Sequence, residues 1–351
     1  MKTHLESSTN CGRQHFSTTV SIDANLVRTS TRSCTGLLSK NLAGQTAAVA
    51  LVFVCLLVSA AAAKHDGREI PFSLFRNHLI VAEGLLKQQR RYVLIDTGTN
   101  VSIVDAATAD ELKLQRIADG NITTVDGLAE AYFAILPELE LGPIHRENLQ
   151  VAVNDLSWVH DQIGIRVDAV IGVDALKAAN FQIDYISRTI RFGVIRMPQT
   201  AASMTEENGL LTVQAELNGT PAKLLVDTGG SALVLFAMEI PQVKEWKDMG
   251  IPIRMSNLAG HTDLRQIQIK DAHIAGVNLS GTLALIAGSP TCCHLQGLLG
   301  ISQVQFKRVV FDFTRRLVGF ELQNSFTPLQ TGNLANACCN AAQQSRTLRA
   351  R

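Results

Sequence analysis

The chain has 351 residues, 46% of them hydrophobic and 18% charged, with 32 Lys plus Arg against 31 Asp plus Glu for a formal net charge of +1. That balance excludes a nucleic-acid-coating protein or a polybasic membrane binder, since neither sign is in enough excess to set up a long-range field. The 25 glycines and the apolar fraction argue against disorder, and with 5% aromatics the core must be built from Val, Ile, Leu and Ala. A length above about 300 residues predicts more than one core, so two domains are expected.

Residues 1–45 are rich in Ser, Thr and Asn without hydrophobic period and are assigned no fold. The first long apolar run is Ala47 to Ala63, preceded by Lys2, Arg13, Arg28, Arg32 and Lys40 and ending in small residues before Lys64. A positive n-region, an apolar h-region and a small-residue end are the parts of a secretory signal. The long n-region leaves two readings: a start codon placed too early, or an uncleaved anchor with its positive end inside. Seventeen residues is near the lower limit for a spanning helix, and the Ser59 to Ala63 end favours cleavage. Both readings export the chain from Lys64 onward, to a periplasmic or extracellular space or to a membrane-anchored position. Val54 before Cys55 weakens a lipid-attachment reading.

Beyond Lys64 one pattern occurs twice. Arg91-Tyr92-Val93-Leu94-Ile95-Asp96-Thr97-Gly98-Thr99-Asn100-Val101-Ser102-Ile103-Val104 is answered by Ala222-Lys223-Leu224-Leu225-Val226-Asp227-Thr228-Gly229-Gly230-Ser231-Ala232-Leu233-Val234-Leu235. Both read as strand, tight turn, strand. Ala169-Val170-Ile171-Gly172 matches Gly297-Leu298-Leu299-Gly300, 172 − 96 = 76 and 300 − 227 = 73 residues after the respective aspartates. Phe181 to Tyr185 with Ile190 to Phe192 matches Val309 to Phe313 with Val318 to Phe320, each a pair of short strands about a polar turn. Upstream of the second copy, Leu211 to Leu217 and Asn218-Gly219 predict a hairpin leading to Asp227. In the first copy His78 to Gly84 stands there, with a longer turn expected through Lys87 to Arg91. One Asp-Thr-Gly would arise by chance in about one such chain in fifteen. Two with matched flanks establish a repeat.

From Leu79 to Leu322 this arrangement resembles the aspartic proteases. Each half is as brief as the retroviral-type single lobe, and two halves in one chain resemble the pepsin-like enzymes. The resemblance implies an all-β fold of two homologous β-barrel lobes, 64–203 and 204–325, between a leader (1–63) and a polar tail (326–351), with an active-site cleft between the lobes. It makes Asp96 and Asp227 the catalytic pair of an endopeptidase. Two carboxylates in hydrogen-bond reach cannot both ionise easily, so they share a proton and activate a water; this dyad is a standard example of that effect. Thr97 and Thr228 resemble the threonines that lace the two loops, Gly98 and Gly229 let the turn bring backbone amides close to the carboxylates, and Gly172 and Gly300 match the strand beneath each loop. The hydroxyl of Thr99 is expected on Asp96, while Gly230 offers Asp227 none, which predicts activity reaching mildly acidic or neutral pH. Candidate flaps are the hairpins Thr123 to Leu128, with Asp126 and Gly127, and Ser256 to His261, with Gly260 and His261. Neither tip holds an aromatic; Tyr132 lies five residues past Gly127.

Metal and histidine chemistry lack a motif, and no metal or cofactor is expected. The alternative to an enzyme is a catalytically silent peptide- or polysaccharide-binding relative. The partner expected is a peptide or protein substrate, met by a monomer without nucleic acid. Asn121, Asn218 and Asn278 open glycosylation triplets. Of seven cysteines, Cys11, Cys34 and Cys55 fall in the leader, leaving Cys292, Cys293, Cys338 and Cys339. Adjacent cysteines rarely bridge, so two disulfides between the pairs are expected in an exported chain.

Overall fold

A computed structural model describes residues 68–124, 127–237, 239–240, 243, 250–257, 260–288, 295–301 and 306–323. In the first half the strands are β1 (Glu69–Phe75), β2 (Leu79–Leu86), β3 (Gln89–Ile95), β4 (Ile103–Asp105), β5 (Gln115–Thr124), β6 (Gly127–Leu141), β7 (Ile144–Asn154), β8 (Ala169–Ile171), β9 (Phe181–Asp184) and β10 (Thr189–Phe192). In the second half they are β11 (Ala201–Glu207), β12 (Leu210–Leu217), β13 (Thr220–Asp227), β14 (Leu233–Phe236), β15 (Ile251–Asn257), β16 (Gly260–Gln268), β17 (Ala272–Ile274), β18 (Val277–Asn278), β19 (Leu283–Ala287), β20 (Gly297–Gly300), β21 (Phe306–Asp312) and β22 (Leu317–Leu322). Three short helices interrupt the first half: α1 (Ala106–Leu112), α2 (Ser157–Ile163) and α3 (Val173–Leu176). The all-β class holds, with these helices an addition the sequence reading did not name.

The repeat is a repeat of wiring. In the first half β3 runs parallel to β8, β4 parallel to β7, and β4 antiparallel to β8. In the second half β13 runs parallel to β20, β14 parallel to β19, and β14 antiparallel to β20. Strands buried on both faces must be apolar at nearly every position. The run Val93-Leu94-Ile95 divides accordingly: Val93 and Ile95 enter the main core, and Leu94 enters a smaller cluster with Leu79 and Ile103. In the first half the strands close into a ring, β2, β3, β8, β4, β7, β6 and back to β2.

A third sheet joins the halves in the order β1, β10, β9, β21, β22, β11. At its centre β9 meets β21 antiparallel, with Ile183 opposite Val309 and Phe181 opposite Phe311. The rings of Phe181 and Phe311 stack with centroids 4.7 Å apart, and Phe192 and Phe320 are buried beside them. The strand β11 crosses the 203/204 boundary, pairing first with β22 and then with β12.

The hairpin from β12 to β13 turns through Asn218 and Gly219, at φ 48° and 77°. The longer turn expected in the first half is absent. Leu86 pairs with Gln89, and Lys87 and Gln88 make a two-residue turn at φ 50° and 62°. Both central residues at positive φ give the turn whose twist suits a hairpin, here without the Asn or Gly that would signal it.

Candidate active site

Each Asp-Thr-Gly sits where an inner strand ends. The Asp96 N–H donates to Ile171 C=O at 3.0 Å, and Asp227 lies opposite Gly300 in the β13–β20 register. The two loops meet face to face. Thr97 N–H donates to Thr228 Oγ1 at 2.9 Å and Thr228 N–H to Thr97 Oγ1 at 3.1 Å. Each hydroxyl then donates across to the other half's strand, Thr97 to Val226 C=O at 2.7 Å and Thr228 to Ile95 C=O at 3.1 Å. Both threonines are fully buried. Four bonds therefore tie residues 129 to 133 apart in sequence.

This lacing brings the carboxylates together, Asp96 and Asp227 sharing a side-chain hydrogen bond. A Cβ on Gly98 would fall 2.5 Å from Asp227 Oδ1, and one on Gly229 would fall 2.6 Å from Asp96 Cγ. Any other residue at either glycine would force the carboxylates apart. Gly172 and Gly300 sit behind the loops: a Cβ on Gly172 would meet Thr99 C=O at 2.8 Å, and one on Gly300 the Ala232 nitrogen at 2.5 Å.

Backbone amides feed each carboxylate. Gly98 N–H donates to Asp96 Oδ1 at 2.7 Å; Gly229 and Gly230 N–H donate to Asp227 Oδ1 at 2.9 and 2.8 Å. Here the expectation for Thr99 fails. Its hydroxyl donates to Val101 C=O at 2.9 Å, closing a local turn instead of reaching Asp96. Gly230, expected to leave Asp227 short of partners, supplies one through its backbone, and a Cβ there would fall 2.6 Å from Asp227 Oδ2.

Both aspartates are half-buried. Burial lifts the Asp96 carboxyl above its ordinary range, opposed by the Gly98 amide, the Asp227 side chain and the Gly229 amide. Asp227 is lifted well above, first by burial, then by the charge on Asp96 and the hydrogen bond to it, with the Gly230 and Gly229 amides opposing. Both carboxyls are thus harder to ionise than ordinary ones, and they titrate as a pair. Burial and then the Asp227 charge hold the Tyr185 phenol neutral, a neighbour that its place in the repeat did not mark as part of the site.

The two flap candidates are strand pairs. Thr124 pairs with Gly127 between β5 and β6, and Ser256 with His261 and Asn257 with Gly260 between β15 and β16. Asp126 lies outside the described residues. Tyr132 is a strand residue opposite Asp119, with the Arg116 guanidinium 4.5 Å from its ring centroid. Cys292, Cys293, Cys338 and Cys339 lie outside the described residues, as does the run 47–63. Among the described residues no helix is long and apolar enough to cross a membrane. Away from the dyad, Glu138, Glu140 and His145 bring ligand atoms within 4.8 Å of one another on the β6–β7 hairpin, a grouping the sequence reading did not name.

Residues 82–175 match the aspartyl protease family model, a stretch that includes Asp96, Thr97, Gly98 and Gly172. A protease family implies peptide as the substrate class. No curated protein matches the chain.

Proposed function

We propose that the chain is an aspartic endopeptidase in which Asp96 and Asp227 activate a water against a peptide bond. The observation that carries this reading is the paired approach of Gly98 to Asp227 and of Gly229 to Asp96, which sets the two carboxylates together at a cost in charge repulsion that a binding module has no use for. The ionised carboxylate of the pair takes a proton from the water as its oxygen attacks the carbonyl carbon, and the protonated one donates to the developing oxyanion. The tetrahedral species then collapses as the amide nitrogen gains a proton and the C–N bond breaks, leaving an acid and an amine. The hairpins β5–β6 and β15–β16 close over an extended peptide. The enzyme acts after export, either released or held by the segment 47–63.

The test is hydrolysis of a denatured protein across about pH 3 to 8, with and without a pepstatin-like transition-state mimic. Wild type cleaves and is inhibited; Asp96→Asn and Asp227→Asn each lose at least about a thousandfold in turnover. Mutants that cleave as well as wild type, or a wild type inert throughout, would refute the reading.

A further inference from the structure

Outside the buried threonine bonds, the Asp96 loop is tied to the second half at a further point. Asn100, four residues past Asp96, donates its Nδ2–H to Asn208 C=O at 2.7 Å, joining residues 108 apart. Asn208 and Gly209 form the two-residue turn between β11 and β12, at φ 51° and 80°, with Glu207 paired to Leu210 across it. A Cβ on Gly209 would fall 3.0 Å from Asn100 Cβ, so the turn rests directly against the loop. The same hairpin takes a second tie from the first half, where Lys177 Nζ, just past α3, pairs with Glu206 Oε1 at 2.7 Å.

This hairpin is a firm anchor. Strand β11 pairs with β22 in the sheet that joins the halves and with β12, and β12 pairs with β13, the strand that delivers Asp227. Ladder hydrogen bonds therefore run from Asp227 back to the turn that holds Asn100. The threonine bonds hold the Asp96 loop to the second half at Ile95 and Thr97, and Asn100 adds a point on the other side of Gly98. Between these points lies the Gly98 N–H that donates to Asp96 Oδ1 at 2.7 Å, so the loop cannot pivot about the threonines without stretching the Asn100 bond. The tie is one-sided. Ser231 matches Asn100 in the repeat, and among the described residues no hydrogen bond joins it to the first half.

We infer that Asn100 is a positioning residue that, with the Asn208–Gly209 turn, latches the Asp96 loop to the second half and so keeps the two carboxylates aligned for attack. Its effect on turnover rests on the proteolytic reading. Its effect on the loop rests on the contact alone. Without the bond the loop opens more often, baring the Thr97 and Thr228 amides, and fewer molecules at any moment hold an aligned dyad. Turnover falls about fivefold with KM changed less than about twofold, because substrate still binds while the attacking geometry is lost.

The experiment uses the full chain, with amide hydrogen exchange followed residue by residue and turnover measured on a denatured protein. In Asn100→Ala the Thr97 and Thr228 amides are expected to exchange about five- to tenfold faster, while the Phe320 amide, bonded to Thr200 C=O in the joining sheet, keeps its wild-type rate. Asn100→Asp has the same size but no donor when ionised, so it should match Asn100→Ala at neutral pH. Below about pH 4 its protonated carboxyl can donate again, and its turnover relative to wild type should return toward one. Ser231→Ala should leave the Thr97 and Thr228 amides at their wild-type rates. Wild-type exchange in Asn100→Ala, equal acceleration of the Phe320 amide, or equal acceleration of the loop amides in Ser231→Ala overturns the latch, and faster exchange with unchanged turnover overturns its positioning role. Exchange is read without substrate, so a wild type that hydrolyses nothing would sink the proteolytic reading while the latch is still decided.

Discussion

The two halves share their strand wiring but differ in how completely each closes. In the first, β6 runs unbroken from Gly127 to Leu141 and reaches β2 to complete a ring. In the second, its counterpart is split into β16 and β17; β16 pairs with β19, and only β17 reaches β12. Beyond the shared wiring, the two halves match side chain for side chain at the dyad: reciprocal threonine bonds and reciprocal glycine approaches. The difference teaches that the site demands symmetry where the halves touch and tolerates divergence elsewhere. The exception within the site is the backbone supply: the Gly98 N–H alone donates to Asp96 Oδ1, whereas the Gly229 and Gly230 N–H groups both donate to Asp227 Oδ1.

The comparison can be broken most decisively at the glycines. Gly98→Ala and Gly229→Ala each push a Cβ into the opposite carboxylate, and each should lower turnover about a hundredfold or more in a peptide-cleavage assay. A large loss in one and none in the other would show the approach to be one-sided. Next come the threonines. Thr97→Val and Thr228→Val each orphan a buried N–H and a buried carbonyl of the other half, and each should cost about 2–3 kcal/mol in denaturant unfolding.

A smaller effect separates the aspartates. Because Asp227 binds its proton more tightly folded than unfolded, the folded state loses stability as pH rises from the ordinary carboxylate range to the raised value, and none of this is felt below that range. Asp227→Asn should therefore melt a few degrees above wild type at neutral pH and level with it in acid, with Asp96→Asn gaining less; thermal scans against pH read this. Smallest is Thr99→Ala, whose lost bond is a local one to Val101 C=O. It should cost under about 1 kcal/mol and leave the pH profile in place, whereas a shifted profile would restore the hydroxyl to Asp96.

Much of this site was legible because its signals are short. Asp-Thr-Gly after an apolar strand and Gly172 or Gly300 some 75 residues later can be matched along the chain. The Lys87-Gln88 turn was hidden because its positive φ values fall on residues that do not advertise them. The helices α1 and α2 are seven residues each and α3 is four, too short for a 3.6-residue period to show. Thr99 was misread because a hydroxyl three residues from a carboxylate looks like its partner until the backbone offers a nearer carbonyl. The bond of Ser102 to Asp174 was invisible because the two lie 72 residues apart.

The β9–β21 pairing sets a timetable for synthesis. Every bond that joins the two loops spans at least 129 residues, and the sheet that seats them is finished only by the strand ending at Leu322. At roughly 5–20 residues per second, the half bearing Asp96 waits on the order of ten seconds for the half bearing Asp227. Through that interval the nascent chain exposes an unpaired β9 edge and a lone carboxylate. The dyad is thus assembled only after both Asp-Thr-Gly loops have been made.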